Sequence, residues 1–207
     1  MNSRMFQDAE EGKERDLTEI GQFQPVLLAM GANLASVAGA PEVTIKESLR
    51  ELSDAGIEVL ALSKLYRTPA FPPGSGPDFV NAAVLCRTER SPTEIIQILH
   101  RIEENFGRER KDRWSARTID IDLLAVGVLV CPDFETHKCW RSLSLTEQQK
   151  LVPDRLILPH PRMQERAFVL RPLADVAPGW EHPILGQTVL EMLEALPNDD
   201  LKGIEPL

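Results

Sequence analysis

Gly107–Leu124 reads GRERKDRWSARTIDIDLL. It opens as an arginine-rich run and closes as an alternating strand. Arg108, Arg110, Lys111, Arg113 and Arg117 outnumber Glu109 and Asp112 five to two, so residues 107–118 carry +3 in a chain whose total is −9. A basic island in an acidic protein points to a local anionic ligand rather than to a general affinity for polyanions. Ile119, Ile121 and Leu123 alternate with Asp120 and Asp122, so the strand buries one face and presents both acids on the other. Residues i and i+2 of a strand lie roughly 6.5–7 Å apart on one side. Carboxylates that close repel unless a cation or neighbouring guanidiniums neutralise them. They suit Mg²⁺, which takes oxygen ligands and is usually completed by substrate phosphates. Arginines grip phosphate oxygens in planar, bidentate pairs. The stretch reads as a site for Mg²⁺ and a polyphosphate. A purely structural Arg–Asp network is the alternative that these residues alone leave open.

The flanking chain supplies the frame. Val26–Met30 is a short apolar run before the turn signal Gly31-Ala32-Asn33, and reads as a buried first strand. Pro41–Ala55 has near-helical apolar spacing with Gly56 to end it. Ile57–Arg67 reads as a second strand and Phe79–Arg87 as a third. Between them, Thr68–Asp78 holds four prolines and two glycines, which preclude regular structure; a loop of that length within a compact domain is often functional. Ser91-Pro92-Thr93-Glu94 is a capping box opening a helix over Pro92–Phe106. Gly107 ends that helix and delivers the chain into the basic stretch, followed by a strand over Thr118–Val128. Cys131–Val152 is polar and irregular, with a short helix near Leu145–Leu151. Arg155–Pro161 is extended, Arg162–Ala174 is helical, and Thr188–Leu196 is a final helix. The order β-α-β-β-α-β predicts an α+β fold, a ferredoxin-like antiparallel sheet flanked by helices. With helices on one face, the other face is free for a site.

Bulk properties narrow the function. At 207 residues, one domain with extensions is the default. Residues 1–24 lack an apolar core, so they read as a mobile tail rather than a signal peptide, and no apolar run is long enough to span a membrane. The net charge of −9 argues against a nucleic-acid or anionic-membrane surface. Cys86, Cys131 and Cys139 form no disulfide framework and fit a reducing cytosol. Cys131, His137 and Cys139 match no zinc spacing.

Several segments then gather in one order. They are GANL at Gly31, YRTP at Tyr66, FVNAA at Phe79, E-x-x-x-G-R-x-R from Glu103 to Arg110, RW-x-x-R-T-I-D-I-D from Arg113, and LPHP…R-x-F-V-L from Leu158. Across about Val26–Pro178 the set closely resembles the 6-hydroxymethyl-7,8-dihydropterin pyrophosphokinase family of folate synthesis. The resemblance implies transfer of pyrophosphate from ATP to the pterin hydroxymethyl oxygen, with release of AMP and two Mg²⁺ ions at Asp120 and Asp122. It implies that Arg110 and Arg113 belong to a mobile catalytic loop, with Arg108 and Arg117 as the flanking catalytic arginines. ATP contacts would fall on His100, Glu103, Arg110, Arg113, Trp114, Leu123, Arg155, Leu156, Ile157, His160 and Arg166. The pterin pocket would fall on Thr68, Pro69, Phe71, Phe79, Asn81, Trp114 and Phe168.

The residue chemistry agrees with those roles. A flat pterin needs aromatic faces for offset stacking, which two phenylalanines supply. Its amide-like edge needs a group that both donates and accepts, as Asn81 does. Phosphoryl transfer needs alignment and charge cancellation more than covalent help, and metals with arginines give both. Without ligand, the charged segment Glu109–Ser115 is expected to be mobile.

This chain departs from some relatives at Phe79, where they carry tyrosine, and at Ile157, where they carry a polar residue. It also carries an extra segment near residues 132–154, so residues 25–207 read as a single pyrophosphokinase domain with one insertion. Two other functions are open. Another Mg-dependent nucleotidyl or phosphoryl transferase on a similar sheet would use the same acids but leave Asn81 and the aromatics unexplained. An RNA-binding sheet would want a basic face.

Overall fold

Alternating burial along three central strands builds two apolar layers, one on each side of one sheet. The computed structural model describes residues 23–70, 76–108 and 116–207. The strands are β1 (Gln24–Ala32), β2 (Glu58–Leu62), β3 (Tyr66–Thr68), β4 (Phe79–Thr88), β5 (Asp120–Val126) and β6 (Glu205–Pro206). The helices are α1 (Pro41–Asp54), α2 (Pro92–Asn105), α3 (Phe134–Arg141), α4 (Leu145–Lys150), α5 (Ala167–Val176) and α6 (Val189–Glu194). The sheet runs β5-β1-β4-β3-β6, with β2 also on β4, and all these pairings are antiparallel. β4 lies between β1 and β2, the two strands joined through α1, so the order is that of a split βαβ unit, as the element sequence predicts.

The expected single strand over Ile57–Arg67 is broken, with β2 and β3 end to end along β4. Ser63 makes the break. Its amide donates to the Ala83 carbonyl and its hydroxyl accepts from the Ala83 amide, both at 2.9 Å. One side chain thus takes the place of a ladder carbonyl, and Lys64 turns outward to donate its amide to Asp175 at 3.1 Å.

Val26, Leu28 and Met30 on β1, Ala82, Val84 and Cys86 on β4, and Ile121 and Leu123 on β5 pack under α1 and α2 through Ile45, Leu52, Ile95, Leu99 and Ile102. α2 begins with the capping box expected from Ser91 and Glu94. Leu27, Ala83, Leu124 and Ala125 point the other way, onto Val169, Leu170 and Leu173 of α5 and Val189 and Met192 of α6. Fully burying each such aliphatic side chain contributes roughly 1.5–3 kcal/mol. The free second face expected from the element order is not found, because α5 and α6 pack against it. α5 crosses the strands, its start at Arg166 reaching Asp122 on β5 and Asp175 near its end reaching Tyr66 on β3. Among the described residues, Asp122 and Phe168 stay partly exposed at the sheet end beyond this helix.

The insertion is more ordered than its composition predicts. Asp133 caps α3 by accepting from the Thr136 amide at 2.8 Å, and Ser144 with Glu147 caps α4. α3 is held inward by His137, which is fully buried and donates Nε2–H to the Pro159 carbonyl at 2.9 Å. Its ring lies 5.9 Å, edge-on, from that of His182, also fully buried. Among the described residues no group of three His, Cys, Asp or Glu side chains could hold a metal. Cys131 is buried and Cys139 exposed. No helix among them is long and apolar enough to cross a membrane.

Burial depresses both histidines, His182 to about 4, helped by His137 and Arg141. The unfolded chain, with histidines near 6.5, therefore binds more protons just below that pH, and stability falls with acidification. For His182 the loss runs from about pH 6.5 to about 4, at most about 1.4 kcal/mol per pH unit for each histidine. Urea unfolding between pH 7 and 5 should show this slope, and His137→Gln should remove one histidine's share. An identical slope in that variant would mean that His137 does not titrate on unfolding.

Candidate active site

The strand register places the sequence-predicted acids and the predicted amide in one row. Gly31 on β1 stands opposite Asp120 on β5 and opposite Asn81 on β4, which in turn stands opposite Tyr66 on β3. Residues directly paired in a sheet face the same side, so Asp120, Gly31, Asn81 and Tyr66 share the face of α5. Asp122 lies one row inward, opposite Ala29, and Phe79 with Thr68 one row outward. Two strand spacings separate Asp120 from Asn81, roughly 10 Å of backbone. The row therefore has an acidic end and an amide end, with a glycine between them.

At the acidic end, Asp120 is clamped by Arg108 at 2.5 Å and by Arg117. Arg108 also pairs with Glu103, which is 1 % exposed and accepts the Ile121 amide at 2.8 Å. Arg166 reaches Asp122 at 3.6 Å, and the Asp122 side chain is 38 % exposed. Burial raises the Asp120 carboxyl above its ordinary range and the Asp122 charge adds to this, while Arg117 and Arg108 pull it back. Two carboxylates that repel each other across one strand face, one of them with open oxygen atoms, fit a divalent hard cation. Three arginines already balance Glu103, Asp120 and Asp122, so such a cation fits best when phosphate oxygens arrive with it.

His160 closes this end. Its amide donates to Leu124 on β5 at 2.7 Å and its Nδ1 accepts from the Arg162 amide at 3.2 Å. Burial and the charges of Arg166 and Arg162 press its imidazole down to about 3, so it is neutral, with Nε2–H as the remaining donor. Arg162 has no mark in the sequence pattern, and its place here is visible only in the structure.

At the amide end, Asn81 and Thr68 are both buried, and Asn81 donates to the Thr68 hydroxyl at 2.6 Å. Gly31 makes room for this: a Cβ there would lie 2.8 Å from Asn81 Oδ1 and 3.8 Å from the Phe79 ring. Phe79 is half-buried beside it and Phe168 is 40 % exposed, with the Arg166 guanidinium 5.7 Å from its ring centre. Below the row, the Tyr66 hydroxyl donates to Asp175 at 2.9 Å, and Arg171 lies 5.5 Å over its ring. Neither Asp175 nor Arg171 is marked by any sequence motif.

Other predicted residues fall into place unevenly. Pro69 is exposed at the edge of the amide end, against Gly203. His100 is half-buried on α2 and Leu156 half-buried against the first core. Leu123 and Ile157 are both buried. Arg155 is exposed and pairs with Asp154 at 3.2 Å. Phe71, Arg110, Arg113 and Trp114 lie outside the described residues, as does most of the expected tail.

Residues 27–178 match the model of the 7,8-dihydro-6-hydroxymethylpterin-pyrophosphokinase family. The chain belongs to this family. It is 37% identical over 182 residues to the 2-amino-4-hydroxy-6-hydroxymethyldihydropteridine pyrophosphokinase of Methylorubrum extorquens, covering 86% of this chain and 95% of that one. It is 36% identical over 174 residues to the Synechocystis enzyme of the same name, covering 84% and 76%. Among solved structures, a Plasmodium falciparum HPPK-DHPS crystal structure aligns with a TM-score of 0.59 at 16% identity, over 88% of this chain and 44% of that one. The fold expected from the element order is thus that of pyrophosphokinase domains, and the chain is an ATP-dependent diphosphotransferase.

Gly31→Ala should displace Asn81 from Thr68, since the new methyl and Asn81 Oδ1 cannot share the space. Losing that buried hydrogen bond should cost about 1–3 kcal/mol of stability. Urea unfolding and the Asn81 side-chain amide resonance check this; an unmoved resonance defeats the steric account.

Proposed function

We propose that this chain transfers the pyrophosphoryl group of ATP to the hydroxymethyl oxygen of 6-hydroxymethyl-7,8-dihydropterin and releases AMP. The row Asp120–Gly31–Asn81 carries the reading, because it sets a phosphate-and-cation end about two strand spacings from a flat-ring end on one rigid sheet. Asn81 offers a donor and an acceptor to the pterin edge, Thr68 fixes its orientation, and Phe79 and Phe168 flank the ring plane. Pro69 lies at the outer side, and Phe71 is assigned to the same pocket by the family resemblance. Asp120 and Asp122 are the residues to hold Mg²⁺, two ions in our reading. When bound, Mg²⁺ neutralises phosphate oxygens and aligns them for in-line transfer.

The protein's own groups do the rest. Arg108 and Arg117 hold Asp120 in place and favour its charged form, and Arg166 spans from Asp122 toward the aromatic ring of Phe168. His160, neutral at physiological pH, offers Nε2–H to the nucleotide without adding charge. His100, Leu123, Arg155, Leu156 and Ile157 line the nucleotide side, the buried ones through backbone atoms. Glu103 acts beneath the site as an anchor for Arg108 and β5. Arg110, Arg113 and Trp114 complete the phosphate grip and cover the reacting groups, which excludes competing water.

The experiment is direct. AMP should appear only when ATP, Mg²⁺ and the reduced hydroxymethylpterin are all present; pyrophosphate instead of AMP would favour nucleotidyl transfer. Asp122→Asn should lower turnover by orders of magnitude with the fold intact by circular dichroism. Near-normal turnover at saturating Mg²⁺ would remove Asp122 as a ligand. Asn81→Ala should weaken pterin binding by about 1–3 kcal/mol and leave ATP binding nearly unchanged. Equal weakening of both in calorimetry would place Asn81 outside the pocket.

A further inference from the structure

The segment Leu156–His160 sits between the insertion and the acidic end of the row. It runs into Leu158-Pro159-His160-Pro161, in which only Leu158 and His160 have amide protons to donate. The His160 amide is spent on Leu124 of β5. The Leu158 amide and carbonyl form a two-bond bridge with Cys131, at 3.0 and 2.9 Å, at the root of the insertion. The Pro159 carbonyl is met from the side by His137 Nε2–H of α3, at 2.9 Å. The segment is therefore pinned at three successive residues, and the middle pin comes from the insertion.

The chemistry of that pin is specific. A carbonyl only accepts, so the proton is on His137 Nε2 and Nδ1 is unprotonated. Nδ1 is buried and has no hydrogen-bond partner among the described residues, an arrangement that costs about 1–3 kcal/mol. A phenylalanine would fill this space without that cost. What the histidine supplies and a phenylalanine lacks is the donor to Pro159. The next residue is His160, whose ring is held by the Arg162 amide and shares its surroundings with Arg166 and Asp120.

We propose that His137 is a positioning residue for the nucleotide half of the site, fixing the Pro159–His160 peptide so that His160 meets the ATP. This inference rests on the function proposed above. It assigns the insertion the role of a brace, built into the domain and specific to one of the two substrates.

Steady-state kinetics and nucleotide calorimetry on the full chain with His137→Phe and His137→Gln test it. The glutamine amide reaches the Nε2 position and keeps a donor toward Pro159. His137→Phe should raise the ATP KM and the Kd for a non-hydrolysable Mg-ATP analogue roughly tenfold, in line with one lost buried hydrogen bond. Its pterin KM should stay within about twofold, and His137→Gln should return the nucleotide values to near wild type. A phenylalanine variant with unchanged nucleotide affinity overturns the inference, as does one in which both substrates weaken equally. Hydrogen exchange on the unmodified chain covers the case in which the phenylalanine variant does not fold. By reciprocity of coupling, Mg-ATP should slow exchange of the Leu158 and His160 amides and of α3, and pterin alone should not. An α3 indifferent to nucleotide also overturns it. A wild-type chain that binds no Mg-ATP sinks the proposed function and this inference with it, whereas tight wild-type binding matched by the phenylalanine variant sinks the inference alone.

Discussion

Glu103, a buried carboxylate at the end of α2, decides how the site is held. A charge taken out of water costs several kcal/mol unless it is paired and hydrogen-bonded. Glu103 is both: it accepts the Ile121 amide and pairs with Arg108, whose guanidinium continues to Asp120. The chain is thereby forced to bring the end of α2, the start of the basic stretch and the first residue pairs of β5 together. Removing the carboxylate would leave Arg108 half-buried and the Ile121 amide unpaired. Gly107, at φ 78°, makes the turn between the helix and this clamp, in the left-handed region that glycine enters at little cost.

The same sheet end shows why the two halves of the site need different support. The acidic end is held by charges that pull against each other, and Asp120 is raised by burial and by Asp122 in spite of two adjacent guanidiniums. Its balance changes when a ligand brings new charge. The amide end is held by neutral hydrogen bonds and close packing, with Asn81 between Thr68 and Gly31 and with Tyr66 tied to Asp175 beneath it. That end has little to rearrange. The sheet joins a compliant electrostatic half to a stiff steric half, and β1 fixes the distance between them.

Much of this was legible before folding. The alternation of Ile119, Ile121 and Leu123 with Asp120 and Asp122 fixes which face the acids occupy, because strand periodicity is a local property. The capping box at Ser91 starts α2 for an equally local reason. The break at Ser63 was not legible, since a run of strand-forming residues carries no sign that one hydroxyl will replace a ladder carbonyl. Nor was the cover on the second face, because α5 and α6 read as amphipathic helices without naming the sheet they bury. Asp175, Arg171 and Arg162 reach the site through tertiary packing alone. Asp133 could have announced α3, being an N-cap residue before Phe134, but the polar composition that follows masks a helix whose main inward anchor is one histidine.

The insertion illustrates how a polar segment can belong to a fold without a hydrophobic face of its own. α3 has His137 as its buried residue, and Phe134 on the same helix is 58 % exposed. Apolar burial is therefore a weak reason for this helix to stay in place. The Cys131–Leu158 bridge and the His137–Pro159 hydrogen bond fix it instead, both to one extended segment and both within two residues of His160. An anchor of a few directional bonds is sensitive to the geometry of its acceptor in a way that a greasy contact is not. Whatever shifts the Leu158–His160 backbone must be felt by α3, and whatever loosens α3 must be felt at His160. The insertion is thus mechanically part of the acidic end of the sheet, although none of its helical residues lies in the row Asp120–Gly31–Asn81.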